Sequence, residues 1–223
     1  MALWKNSRIA CQTVASCWRE FLFWMLLVPA SDALGSASPR VEAAGLVEAL
    51  CFFAVAGASL GKLKAFGLEF VGWNRVKWSA LAACIVAGLA AGAAIVGIAH
   101  VSGQPIGAQN GWNREVLAIA LGPVAEEVLF RGYVLTAVLH VLRRWPTPRV
   151  ADTISVLFAA VVFSLAHTAT RGTTGLQLGC AVLTGCLYGS SRVRYRSTFA
   201  AVIVHGMYNL ALYISCWCGL SRV

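Results

Sequence analysis

Of the 223 residues, 59% are hydrophobic and only 12% are charged, and the mean hydropathy is +0.72. A soluble domain carries about 25% charged residues, so this composition leaves too little polar surface for water and excludes an ordinary soluble fold. The net charge of +9 does not mark a nucleic-acid partner, because the basic residues fall between apolar runs, as they do in membrane-protein loops.

In chain order, the first apolar run is the ten residues FLFWMLLVPA, 21–30, preceded by Lys5, Arg8 and Arg19 and followed by SDALGSAS. It fits a signal peptide or a short membrane helix over 20–37. The helix is adopted because the alternation of charge across the membrane begins there. Six longer spans follow at 43–61, 78–101, 115–142, 153–169, 174–191 and 198–219, most of them close to the ~20 residues that cross a bilayer. With the N-terminus in the cytoplasm, 13 Lys and Arg fall in inside segments and 4 in outside segments. The positive-inside bias supports that orientation, in a multi-pass protein of the cell membrane. The expected fold is all-α, a single integral membrane domain over 1–223 with about seven transmembrane helices, the last four forming its core.

Small residues spaced four apart in GLAAG (88–92), GLQLG (175–179) and GCLYG (185–189) predict close helix packing in lipid. Of the eight cysteines, Cys51, Cys84, Cys180 and Cys186 lie in apolar runs and read as small hydrophobes; no CxxC and no zinc-finger spacing occurs.

The fourth span carries AEEVLFRG, 125–132. Glu126 lies about eleven residues from its start, roughly 16 Å in, near the middle of a ~30 Å core. A charge there costs at least ~2.5–3.5 kcal/mol and normally faces a cavity or a partner. Glu127 and Arg131 are i and i+4, on one helix face, and can neutralise each other. Glu126 is rotated by about 100° and points elsewhere, which leaves it free to act as a general base. The fifth span ends in FSLAH, with Phe163 and His167 four apart, and the seventh contains HGMYN, with His205 and Asn209 four apart. Taken singly, each feature has a structural explanation: a satisfied ion pair, or a hydrogen bond between helices. Together they form an acid–base and hydrogen-bonding set drawn from three helices.

In their order EExxxR, FxxxH and HxxxN, these motifs resemble the CPBP (ABI) family of intramembrane proteases, which includes the CAAX prenyl endopeptidases and bacteriocin-processing or self-immunity proteins. The resemblance covers about 115–213 and implies a glutamic-type endopeptidase cutting a membrane-associated peptide or protein. It implies that Glu126 activates a water that His167 holds, that His205 and Asn209 stabilise the oxyanion, that Glu127 and Arg131 form a supporting pair, and that Phe163 packs beside the site. No cofactor is expected. Zinc is the rival, since two histidines and a carboxylate are also a zinc set, but no HExxH occurs and Asn is a poor ligand. Two other functions compete: a non-enzymatic scaffold or self-immunity protein of the same fold, and a small transporter whose carboxylate relays protons. One tension stands. His167 falls near the outer end of its span and His205 nearer the inner end of its own, although one site needs them at similar depth.

Overall fold

The computed structural model describes residues 72, 74–103, 119–120, 122–142, 147–167 and 174–219. The spans expected at 20–37 and 43–61 lie outside these residues. The described residues form five helices and no strand. We number them α1 (Trp78–Ser102), α2 (the contiguous stretches Gly122–Glu127, Val128–Val134 and Leu135–Leu142), α3 (Pro148–Ala166), α4 (Gly175–Tyr195) and α5 (Thr198–Trp217). Three of them, α1, α3 and α5, are long and apolar enough to cross a membrane. Their exposed side chains include Val86, Leu89, Val101, Leu157, Val161 and Leu165. An outer surface of this kind suits lipid rather than water and marks an integral membrane protein.

Helix α1 runs 25 residues, to Gly103 in the left-handed region at φ 64, where the N–H of Gly103 closes the last turn onto Ala99 and His100. Its buried residues are all small: Cys84, Gly88, Gly92 and Ala99. A Cβ at Gly88 would meet the carbonyl of Val204, and one at Gly92 would meet Ala211 and the carbonyl of Tyr208. The glycines therefore let α1 approach α5 at backbone distance, as the GLAAG spacing predicts. Helix α4 meets α3 in the same way, with Gly185 against Ala160 and Gly189 against Val156. The third pair behaves differently. Nothing lies within 4 Å of where a Cβ would sit at Gly175 or Gly179, so GLQLG is not a packing motif among the described residues.

Helix α3 starts at Pro148, a residue favoured in a first turn because it needs no N–H partner there. This start lies ahead of the expected 153, so Arg149 belongs to the helix and not to a loop. The helix stops at Ala166, which leaves His167 as its C-cap rather than inside it. On the opposite side of the bundle, residues just before α1 are stitched to the α4–α5 turn. Thr198 N–H donates to Gly72 O at 2.8 Å, Asn74 Nδ2 to Arg196 O at 2.7 Å, and Ser197 Oγ to Asn74 O at 2.5 Å.

Helix α2 is the centre of the fold. Its middle stretch, Val128–Val134, is π-helical, and six successive residues from Val128 to Tyr133 are buried. A helix buried all round has no solvent face. The wider π turn, with Thr136 Oγ1 bonded back to Arg131 O at 3.3 Å, follows immediately after the two glutamates. Such interruptions concentrate at functional sites.

Candidate active site

The supporting pair forms first. Arg131 Nη1 donates to Glu127 Oε1 at 2.9 Å, and both side chains are fully buried. A lone charge at this depth would cost several kcal/mol, and pairing offsets that cost. The second guanidinium nitrogen donates to Gly185 O at 3.1 Å. A Cβ on Gly185 would come within 3.3 Å of that nitrogen, so the glycine of the GCLYG motif makes room for it. The flat face of the guanidinium lies 4.5 Å from the Phe163 ring centroid and 5.1 Å from that of Tyr188, which adds a cation–π contribution.

His205 then joins the two carboxylates. Its Nδ1 is 2.9 Å from Glu127 Oε1, and its Nε2 is 4.0 Å from Glu126 Oε2. The sequence reading has the two glutamates pointing apart, one paired and one free. The structure keeps the rotation but places one imidazole across it, so that each edge of the ring faces a carboxylate. Glu127 is not Arg131's alone. Because Glu127 is held as a carboxylate by the guanidinium, it can only accept, so Nδ1 of His205 carries the hydrogen and donates it. Glu126 is the more exposed of the two, with 31% of its side chain accessible, although its Oε2, the oxygen nearer His205, is buried and accepts no hydrogen bond among the described residues.

His167 is fixed by a parallel device. Its Nδ1 lies 2.9 Å from Phe163 O. A carbonyl only accepts, so Nδ1–H is again the donor. Phe163 sits between the two imidazoles, 4.6 Å from His167 and 5.9 Å from His205, ring centre to ring centre. This removes the difficulty over depth: a side chain near a helix C-terminus leans back toward the preceding turn, and Phe163 spans the interval that remains. Glu126, Phe163, His167, His205 and Asn209 all line one cavity of about 310 Å³. Among the described residues, no three His, Cys, Asp or Glu side chains stand close enough together to share a metal ion.

Sequence reasoning overlooked Tyr188. Its ring stacks on His205 at 4.5 Å with an interplanar angle of 14°, and it also faces Phe163 edge-on at 6.1 Å. It lines the same cavity. The signal was present, since Tyr188 is the large residue inside GCLYG. Tyr188 stands three positions after Gly185, the spacing that puts two residues on one helix face.

Residues 109–211 match the family model for type II CAAX prenyl endopeptidase, Rce1-like. Over that stretch the chain is similar to CAAX protease-like proteins. The family is a protease family, and the matched stretch contains every residue of the cavity that bears a carboxylate or an imidazole. Neither a curated protein nor a solved structure matches the chain.

Proposed function

We propose that the protein is a CAAX-type intramembrane endopeptidase in which Glu126 activates a water against a peptide carbonyl, without a metal. The observation that carries this reading is one cavity lined by the Glu126 carboxylate, the imidazoles of His167 and His205 and the amide of Asn209, with His205 Nε2 4.0 Å from that carboxylate. A water has two hydrogens and can donate one to Glu126 and one to His167, which leaves its own lone pair for attack. Glu126 takes the proton as the C–O bond forms and returns it to the amine as the C–N bond breaks.

His205 and Asn209, one turn apart on α5, line the same cavity and would supply the donors that a developing oxyanion requires. The substrate is a membrane-associated peptide, a prenylated CAAX sequence being the class the family match suggests.

The test uses purified protein in liposomes and a farnesylated CAAX peptide. Glu126→Gln should lower the cleavage rate by about 10²–10⁴-fold, the usual contribution of a general base, with the melting temperature unchanged. Excess EDTA should leave the wild-type rate as it is. Full cleavage by Glu126→Gln rules out the carboxylate as base, and loss on chelation followed by recovery with zinc rules out the metal-free route.

A further inference from the structure

Cavity residues outside the reacting set include Gln177, near the start of α4. It belongs to a capping box. Gln177 N–H donates to Thr174 Oγ1 at 3.3 Å, and Thr174 N–H donates to Gln177 Oε1 at 2.8 Å. Such boxes accept Glu or Gln at this position equally well, because only the side-chain oxygen is used. The choice of Gln over Glu therefore leaves both hydrogen bonds of the box intact but changes what the cavity meets. A backbone N–H can bond only to the amide oxygen, so chemistry decides which way the amide is turned. Oε1 is committed to Thr174, and the Nε2 group keeps two hydrogens for whatever occupies the cavity. A glutamate here would cap the helix and present only acceptors. Gly175 and Gly179 on either side carry no side chain that could shield the amide, and among the described residues nothing lies within 4 Å of where their Cβ would stand.

The cavity also has direction. His205 and Tyr188 lie toward its interior, whereas Gln177, Ile98 and Leu212 lie toward the ends of their helices on the side where α4 begins. We infer that Gln177 is a substrate-positioning residue whose amide N–H donates to a backbone carbonyl or carboxylate oxygen of the bound peptide, and so sets which peptide bond reaches Glu126. This deepens the proposed function and rests on it. The oxygen-rich ligand follows from the donor: two N–H groups among apolar neighbours select an acceptor, and a peptide backbone offers one at every residue.

Three variants separate this role from helix capping. Gln177→Glu keeps the box and removes the donor. Thr174→Ala breaks the hydroxyl half of the box but keeps the backbone N–H that orients the amide. Gln177→Ala removes both. Dissociation constants of a fluorescent farnesylated CAAX peptide are read on liposomes, in the Glu126→Gln background so that nothing is cleaved, together with KM and kcat in the wild-type background. Gln177→Glu and Gln177→Ala should each raise Kd and KM about ten-fold, the value of one well-placed hydrogen bond, with kcat within about two-fold. Thr174→Ala should leave Kd and KM near wild type while lowering the melting temperature. Unchanged Kd and KM in Gln177→Glu, or a Thr174→Ala variant as impaired in binding as Gln177→Ala, overturns the assignment and leaves the protease reading standing. A wild-type protein that does not bind the peptide overturns both.

Discussion

The two halves of α4 carry the same spacing of glycines and do opposite things with it. In the C-terminal half, Gly185 and Gly189 press against Ala160 and Val156, and Gly185 admits the Arg131 guanidinium. In the N-terminal half, a Cβ at Gly175 or Gly179 would meet nothing within 4 Å among the described residues, and Leu176, Gln177 and Cys180 between and beside them line the cavity. One end of the helix is closed around a neutralised ion pair and the other is open around an uncommitted carboxylate. Glu126 and Glu127, adjacent in sequence, divide between these regions: Glu127 serves the closed one, with no side-chain exposure, and Glu126 the open one. Burial without exposure builds stability and orientation, whereas a reaction needs a group that a substrate can reach.

Substitutions should divide along the same line. The largest effect on the open side is the loss of rate in Glu126→Gln with stability retained. The largest on the closed side is Arg131→Met, which strands the Glu127 carboxylate. Removing one partner of a buried pair costs about 3–5 kcal/mol, so this variant should lose its thermal transition in detergent or express poorly. Replacing both partners, Glu127→Leu with Arg131→Met, should recover much of the stability but not the activity, because His205 then loses the group opposite Nδ1. Thermal melts of the single and double variants check this. A single variant as stable as wild type would mean that the pair holds nothing together.

Much of this was legible in the sequence, and its limits have physical causes. The apolar spans over 78–101 and 198–219 appear as α1 and α5 nearly as expected, because long apolar runs and positive flanks are strong signals. The pairing of Glu127 with Arg131 follows from i,i+4 spacing alone. Helix ends were less visible: Pro148 starts α3 ahead of its apolar run, since a first turn tolerates polar residues, and His167 caps the helix instead of extending it. The bridge made by His205 could not be read, because it depends on how α5 lies against α2, and no single-helix periodicity carries that. The π turn after Glu127 was hidden for a related reason, its residues being those of any apolar helix. Of the three glycine pairs, spacing predicts which can pack but not which meet a neighbour.

Tyr188 stands at the boundary between the two regions, with Arg131 near one side of it and the His205 ring stacked on it. We predict that this stack holds the plane of the imidazole, with Nδ1 on Glu127 and Nε2 on the Glu126 side. Shape and aromaticity suffice for this. Tyr188→Phe should keep kcat within about two-fold, whereas Tyr188→Leu should lower it about ten-fold or more, given the rate penalty of a misplaced catalytic group. KM should change little in either. A Phe variant as slow as the Leu variant would mean that the hydroxyl, not the stack, is what the site uses.

The smallest effects should carry opposite signs. Alanine is favoured over glycine inside a helix by roughly 0.5–1 kcal/mol, because the glycine backbone loses more freedom on folding. At Gly179 nothing opposes that gain, so Gly179→Ala should raise the melting temperature slightly. At Gly185 the new methyl would stand 3.0 Å from the Ala160 Cβ and 3.3 Å from an Arg131 nitrogen. Neither neighbour can retreat easily, the one because it lies on a packed helix and the other because it is held by Glu127. Overpacking of this kind costs about 1–3 kcal/mol, which exceeds the helical gain, so Gly185→Ala should lower the melting temperature and slow cleavage by shifting Arg131 and, through Glu127, the imidazole. Two identical substitutions six residues apart on one helix would then move stability in opposite directions. If both raise it, the closed half of α4 has more room than its contacts imply, and the division between the two halves fails.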